Sequence, residues 1–269
     1  MGVLLYKMGG SRRTIAETNI KLCFPELSEK EQEELVIESF KANMKGMVET
    51  TIAWWCNKDK ILSNMKVYGM EHYEEAKARG KGVFIIGGHF SIIDMAGPLA
   101  EHAFGFNYMY RPNDNPLFNA VIERHRRQYS THDFTKNEIP QMMEFLKGGG
   151  TVWYGYDQDF GARRSVFAPF FNIQTATLKA PARIAKETGA TCIMISQFRE
   201  SPGVYSLHFS PILEDYPTGD DVADATRINA QLEEFVRIHP EQYLWMHRRF
   251  RSRPPGEESL YPKKKRKKK

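Results

Sequence analysis

The sequence has few cysteines and no long apolar run, and these absences exclude several classes of protein. Among 269 residues there are three cysteines, Cys23, Cys56 and Cys192, which form no Cys-x-x-Cys pair. An odd, scattered set provides neither a disulfide framework nor a zinc site, so a reducing, cytosolic environment is expected. No stretch reaches the roughly 18 consecutive apolar residues of a membrane span, and residues 1–8 are too short for a signal peptide.

The body of the chain also lacks an excess of charge of either sign. The net charge is +5, but residues 263–269 are all Lys or Arg, so removing those seven charges leaves −2 for residues 1–262. The basic balance therefore does not indicate a nucleic-acid partner for the body, and none is expected. We predict that residues 263–269 are a disordered polybasic tail. Such a tail suits an anionic membrane surface, and an inert tail is the competing explanation.

The composition supports one substantial core. With 41% hydrophobic and 12% aromatic residues, residues 1–262 are predicted to form a single domain, with a helical part over 11–60 and an α/β core over 61–262. Ser28 and Glu31 match a capping box, and helical spacing follows, which predicts a helix over 29–55. Its Trp54-Trp55 end suits buried core, and a membrane-interface anchor is the alternative.

Beyond residue 82, short apolar runs alternate with helical patterns. This alternation predicts an α/β fold with a mostly parallel mixed central sheet flanked by helices. A stretch with three phenylalanines, residues 165–171, is predicted as a loop-like segment. The predicted strands are 83–86, 107–110, 151–156, 191–198 and 204–209, and the predicted helices are 91–103, 116–129, 138–147, 177–187 and 222–238.

The most informative segment is GVFIIGGHFSIIDMAG, residues 82–97, in which a strand and two glycines precede His89 and a helix that carries Asp94. Ligand sites in open α/β sheets lie at the carboxyl ends of strands. A His89 ring in the turn before the helix is expected to fold back onto Asp94, and a histidine held in this way removes protons near neutral pH. The glycine N–H groups are expected to steady an oxyanion. About one His-x-x-x-x-acid spacing is expected by chance in such a chain, so the spacing alone is weak evidence. The prediction depends on the position of His89 after a strand and two glycines.

Further polar residues follow the neighbouring strands. Arg111 ends one strand and Arg126 lies late in the next helix, where a solvated helix terminus is the alternative. Asp157 and Asp159 follow another strand, where an ion pair is as plausible as catalysis. We expect Arg126 and Asp157 to pair across the site. Residues 241–254, rich in arginine and aromatic residues, suit phosphate binding when considered alone.

Six segments occur in an order that resembles one family, the late acyltransferases of lipid A biosynthesis, which transfer lauroyl and myristoyl groups. The resemblance implies an acyltransferase fold, an acyl carrier protein thioester as donor and a phosphorylated, acylated glucosamine disaccharide as acceptor. It also implies work at the cytoplasmic face of the bacterial inner membrane. The segments are RRTIAETNIKLCFPELS (12–28), VFIIGGHFSIID (83–94), YRPNDNPLF (110–118), YDQDFG (156–161), SVFAPFF (165–171) and YLWMHRRFRSRPPGEESLY (243–261).

The resemblance also implies roles for individual residues. In the family's His-x-x-x-x-acid motif the histidine is the general base and the acid orients it, which correspond to His89 and Asp94. Arg126 and Asp157 match further site positions of the family, and together with Arg111 they are predicted to bind the substrate. No metal or cofactor is implied, since the carrier protein is a co-substrate. Residues 165–171 then suit an acyl-chain groove, with core packing as the alternative.

Two features depart from the family pattern, because an N-terminal membrane helix is missing from the sequence and a polybasic tail is present. We therefore expect either a shortened N-terminus or docking through the tail. Two other functions compete with acyl transfer. A thioesterase would use the same histidine and acid to activate water, and a non-catalytic module would recruit membrane or nucleic acid through the tail.

Overall fold

The computed structural model describes residues 2–105 and 107–262, so the predicted polybasic tail lies outside the described residues. Seven strands form one sheet in the order β1-β9-β8-β2-β5-β3-β4, and a separate hairpin pairs β6 with β7. The strands are β1 (Met65–Tyr68), β2 (Val83–Gly87), β3 (Tyr108–Tyr110), β4 (Asp133–Thr135), β5 (Thr151–Gly155), β6 (Ser165–Phe170), β7 (Ile173–Leu178), β8 (Thr191–Ser201) and β9 (Val204–Phe209).

The central sheet confirms the predicted mostly parallel, mixed architecture. Neighbouring strands are parallel throughout the sheet except for the antiparallel pair β8 and β9. Every residue of β2 is buried, as expected for a strand covered on both faces. The prediction of a loop over 165–171 is wrong: residues 165–170 form β6, and Phe170 and Phe171 are buried in the core.

Ten helices of the described residues surround the sheet. Those expected over 91–103, 116–129, 138–147, 177–187 and 222–238 are present, with ends shifted by a few residues. No helix within residues 2–105 and 107–262 is long and apolar enough to cross a membrane. The helices are α1 (Gly2–Met8), α2 (Gly10–Cys23), α3 (Glu29–Trp55), α4 (Lys58–Leu62), α5 (Met70–Ala78), α6 (Ile93–Phe104), α7 (Pro116–Arg126), α8 (Ile139–Lys147), α9 (Ala180–Thr188) and α10 (Asp221–Ile238).

The long helix α3 has the predicted bounds because its start is capped as the sequence indicates. The Ser28 hydroxyl accepts a hydrogen bond from the backbone of Glu31, and the Glu31 carboxylate accepts one from the Ser28 backbone at 2.8 Å. This reciprocal bonding satisfies two of the free N–H groups at the helix start. At the other end Trp54 is buried, as expected, whereas Trp55 is 61% exposed.

Side chains of β2 alternate between two hydrophobic cores, one on each face of the sheet. Phe84 and Ile86 join the core formed with α8, α9 and α10. Val83 and Ile85 join the core formed with α5 and α6. The sheet is therefore covered on both faces, and its strand ends are the places where polar side chains can gather.

A buried ion pair fastens α3 to the sheet. Arg199 on β8 donates from Nε to the Glu49 carboxylate at 2.6 Å, and its Nη2 also bonds to Glu49. Both side chains are about nine-tenths buried, and the Tyr205 hydroxyl donates to the same carboxylate. The Glu49 carboxylate thus compensates the charge of the buried Arg199 guanidinium.

We expect Glu49→Ala to destabilise the protein by about 3–5 kcal/mol, because it leaves the Arg199 charge buried without a partner. Urea unfolding followed by circular dichroism measures this loss. Glu34→Ala, which removes the exposed pair with Lys30, is the control and should leave the free energy of unfolding nearly unchanged. A Glu49→Ala protein as stable as the control variant would show that the buried pair does not fasten α3.

Candidate active site

His89 and Asp157 meet because the strands that carry them are paired in register. β2 and β5 are neighbours, and Gly87 at the end of one is the register partner of Gly155 at the end of the other. His89 and Asp157 each follow two residues after these glycines. Both side chains therefore leave the sheet at the same level of its carboxyl edge.

Two hydrogen bonds join His89 to Asp157. His89 Nδ1 lies 2.5 Å from Asp157 Oδ1, and the backbone N–H of His89 donates to Oδ2 at 2.9 Å. The glycine at 155 makes room for the ring, since a Cβ there would lie 2.7 Å from His89 Cε1. The predicted pairing of His89 with Asp94 is thus wrong.

The turn between β2 and α6 explains why His89 does not reach Asp94. The backbone N–H of Ser91 donates to the carbonyl of Gln242 at 2.7 Å, and Phe90 forms a bridge with Tyr243. These bonds hold the turn against the C-terminal segment, so the chain does not fold back over the first turn of α6. The N–H groups of His89 and Ser91 thus have protein partners, and the oxyanion role of the glycine N–H groups stays a prediction.

The electrostatics of the pair set the proton positions. Burial raises the pKa of Asp157, but the charge of His89 and its hydrogen bonds outweigh this and lower the pKa to about 2. Burial lowers the pKa of His89, whereas attraction to Asp157 and their hydrogen bond raise it, and the net shift is upward. An ionised carboxylate only accepts hydrogen bonds, so Nδ1 carries the hydrogen and Nε2 is the basic atom.

Asp94 is paired with Arg126 instead. Arg126 is the last residue of α7, and its Nε and Nη2 both donate to Asp94 Oδ1, at 3.0 and 2.6 Å. Burial lowers the pKa of Arg126, but the Asp94 charge raises it overall, so the guanidinium stays charged. The predicted contact between Arg126 and Asp157 is therefore wrong. The structure brings His89, Asp94, Arg126 and Asp157 to one site. His89 pairs with Asp157 and Arg126 pairs with Asp94, so each predicted pair has exchanged its acid.

His89, Asp94 and Arg126 line a cavity of about 990 Å³ beneath the carboxyl edge of the sheet. Asp157 does not line the cavity but is hydrogen-bonded to His89. Asp94 is the one carboxylate among the lining residues. Six cations line the same cavity, namely Arg111, Arg126, Lys136, Arg164, Lys179 and Arg183. The cavity therefore favours an anionic ligand.

Part of the cavity lining is apolar. It comes from α6 and from strands β5, β8 and β9. The lining includes Ala96, Ala100, Phe104, Trp153, Ile195 and Leu207. This apolar part of the lining suits an aliphatic chain, and His89 and Arg126 line the same cavity.

Arg111 and the C-terminal arginines have different settings. Arg111 lines the cavity but pairs with the exposed Asp114 at 2.8 Å rather than with the catalytic candidates. In the segment 241–254, Arg249 is buried and donates to the carbonyl of Ala176, while Arg251 binds Asp159. Arg249 and Arg251 thus bond within the fold, and the interpretation of the segment as a phosphate site stays a prediction.

Several lining residues escaped the sequence analysis, notably Trp153, Lys136 and Arg183. Lys136 follows β4 at the same edge of the sheet, but a strand of three residues gives too little pattern to be seen. Arg183 lies on the exposed face of α9, where sequence alone cannot separate it from solvated charges. Among residues 2–105 and 107–262 there is no group of three or more His, Cys, Asp or Glu that could hold a metal ion.

Comparison with known proteins shows the family of the chain. Residues 1–252 match the model of a family described as bacterial lipid A biosynthesis acyltransferase. The chain belongs to that family. It is 33% identical to the lipid A biosynthesis palmitoleoyltransferase of Escherichia coli K12 over 252 residues, covering 93% of this chain and 82% of that protein.

Two further relatives in Escherichia coli K12 are similar over nearly the whole length of the chain. The lipid A biosynthesis lauroyltransferase is 33% identical over 266 residues, 97% of this chain and 86% of its own length. The lipid A biosynthesis myristoyltransferase is 29% identical over 267 residues, which cover 98% of this chain and 83% of the myristoyltransferase. The resemblance inferred from the six sequence segments is thereby confirmed, and the chain is a member of an acyltransferase family.

Removal of the Asp157 charge tests the electrostatics of the site. We expect the pKa of His89, measured by NMR titration, to lie above the ordinary value of about 6.5 in the native protein. In Asp157→Asn it should fall below that value, because burial then acts without the opposing carboxylate. Asp94→Asn is the control and should leave the pKa of His89 raised. A pKa that does not change in Asp157→Asn would contradict the assigned pairing.

Proposed function

We propose that the protein transfers a fatty acyl group from the thioester of acyl carrier protein to a hydroxyl of a lipid A precursor, with His89 as general base. The observation that carries the proposal is the His89–Asp157 pair, which leaves Nε2 as the basic atom of a histidine that lines a cavity with apolar and cationic residues. The names of the relatives support lipid A as the acceptor class.

In the proposed reaction, Nε2 of His89 removes the proton of the acceptor hydroxyl. The alkoxide oxygen attacks the thioester carbonyl carbon, a carbon–oxygen bond forms, and the carbon–sulfur bond then breaks. The departing thiolate takes the proton from the imidazolium, so the products are an ester and a thiol. The ionised Asp157 stabilises the transient positive charge on His89. The acceptor hydroxyl and the thioester supply all the atoms of the two products. The proposed reaction therefore requires no redox cofactor or metal.

In the proposed reaction, Arg126 stabilises the negative charge that develops on the carbonyl oxygen. It lines the cavity together with His89, and it remains charged because Asp94 compensates it. The backbone N–H groups of His89 and Ser91 are already bonded within the protein. A preorganised cation is effective here because it needs little rearrangement during the reaction. Asp94 thus acts through Arg126 as a positioning residue.

We place this activity at the cytoplasmic face of the bacterial inner membrane, with the acyl carrier protein approaching from solution and the acceptor held in the lipid. Exposed apolar side chains support an approach to lipid: Leu4 and Met8 on α1, and Met47 and Trp55 on α3. The polybasic residues 263–269 would add attraction to an anionic surface, worth about 1 kcal/mol per residue at most.

Product analysis tests the proposal directly. The protein is incubated with a mixture of acyl carrier protein thioesters and a tetra-acylated lipid A precursor, and the lipid product is weighed by mass spectrometry. We expect a gain of one acyl group, and a rate that falls by about 10²–10⁴ in His89→Ala.

His102→Ala is the matched control, since this histidine is exposed on α6 and does not line the cavity. It should keep the native rate. Release of free fatty acid without any gain in lipid mass would identify a thioesterase instead. A His89→Ala protein that folds and retains a rate within about threefold of the native one would overturn the assignment of the base.

A further inference from the structure

The indole ring of Trp153, on β5, lies against the two glycines that end the paired strands β2 and β5. A Cβ at Gly87 would lie 2.2 Å from Nε1 of Trp153, and a Cβ at Gly155 would lie 2.9 Å from its Cη2. No side chain with a Cβ fits at such distances unless the indole moves. Glycine at both strand ends therefore allows the indole to lie where the loops of His89 and Asp157 begin.

The indole also lies beside His89. The imidazole approaches the same point at Gly155, since Nε2 of His89 would be 3.3 Å from a Cβ there. The ring centroids of His89 and Trp153 are 6.0 Å apart, in an edge-to-face arrangement. Both residues line the catalytic cavity. A group that reacts at His89 would thus lie next to the indole ring.

The indole N–H of Trp153 has no acceptor within the described part of the chain. It donates to no atom of residues 2–105 and 107–262, and Nε1 is not among the enclosed polar atoms that lack a partner. Because Trp153 is only partly buried and lines the cavity, Nε1 is accessible from the cavity. An indole N–H only donates hydrogen bonds. Trp153 therefore offers a neutral donor to an acceptor atom of a ligand.

The place and the neutrality of this donor indicate which atom it binds. An anionic group is attracted to the cations of the lining rather than to a neutral N–H. In the proposed reaction two other oxygens meet at His89, namely the acceptor hydroxyl and the thioester carbonyl. A hydrogen bond to the hydroxyl oxygen would make it a weaker nucleophile. A hydrogen bond to the carbonyl oxygen becomes stronger as negative charge develops there, and so lowers the barrier.

We propose that Trp153 is a further catalytic residue, whose indole N–H donates to the carbonyl oxygen of the acyl donor. The inference rests on the proposed function for the reaction. Arg126 already uses its Nε and Nη2 on Asp94, so Trp153 supplies a second donor to the developing oxyanion. The hydrogen stays on Nε1 throughout, and His89 alone carries the proton that moves.

Two stable analogues of the acyl donor test the proposal without turnover. In one, an amide joins the acyl group to the arm of acyl carrier protein and keeps the carbonyl. In the other, a thioether replaces the carbonyl with a methylene. The native protein should bind the amide-linked analogue more tightly. In Trp153→Phe the ratio of the two dissociation constants should fall about threefold to tenfold, since one neutral hydrogen bond is lost.

Trp54→Phe is the matched control, because it removes a buried indole on α3 that does not line the cavity. It should keep the native ratio of dissociation constants. Thermal unfolding confirms that each variant is folded.

The native protein provides a second measurement that needs no stable variant. Its indole N–H signals are recorded by ¹H–¹⁵N NMR, and the signal of Trp153 is the one that Trp153→Phe lacks. We expect this signal to move downfield with the amide-linked analogue, because the N–H gains an acceptor, and to move less with the thioether-linked one.

The kinetics of acyl transfer separate a catalytic role from a packing role. Trp153→Phe should lower kcat by about 10² and change the KM for the thioester little, because the hydrogen bond is stronger in the transition state. A packing role alone would instead raise KM and leave kcat close to the native value.

An unchanged ratio of dissociation constants in folded Trp153→Phe would overturn the proposal. A Trp153 signal that moves equally with both analogues would do the same. A signal that moves only when the acceptor lipid is added would assign the N–H to the hydroxyl oxygen, against the proposal. If neither analogue binds to the native protein, the failure concerns the proposed acyl donor, and the proposed function falls together with this inference.

Discussion

The Asp157 carboxylate is 2% exposed, and an ionised carboxylate at that depth is stable only when hydrogen-bond donors and positive charge compensate it. His89 provides both, through its backbone N–H and its ring. The same bonds hold the ring through Nδ1 and leave Nε2 as the basic atom of a residue that lines the cavity. The basicity and position of His89 thus follow from the requirement to satisfy one buried charge.

The C-terminal segment holds both loops that carry this pair. The backbone N–H of Leu244 donates to the carbonyl of His89 at 3.1 Å, which anchors the loop after β2. Asp159 accepts from the backbone N–H of Ser252 at 2.6 Å, which anchors the loop after β5. Residues far apart in the chain therefore fix the separation of His89 and Asp157. Arg251 of this segment contributes by binding Asp159 in the loop after β5.

The sequence predicts the buried central strands and the longer helices, but it does not predict the short strands β1 and β4, and it predicts the partners within the site poorly. The bounds of α3 are readable because capping and periodicity are local signals, and the buried β2 is readable as an apolar run. The β6–β7 hairpin was missed because Pro169 and clustered phenylalanines conceal the strand pattern. The partner of His89 depends on the register between strands 68 residues apart. One signal of this pairing is present in the sequence, because His89 and Asp157 each follow two residues after a glycine that ends a strand.

A double-mutant cycle on kcat/KM for acyl transfer tests the central claim, that His89 works with Asp157 while Arg126 works with Asp94. We predict that the loss in His89→Ala/Asp157→Asn is far smaller than the two single losses combined, and that Arg126→Ala with Asp94→Asn behaves in the same way. Losses that add to within about 0.5 kcal/mol in both pairs, or coupling of His89 with Asp94 instead, would contradict the account.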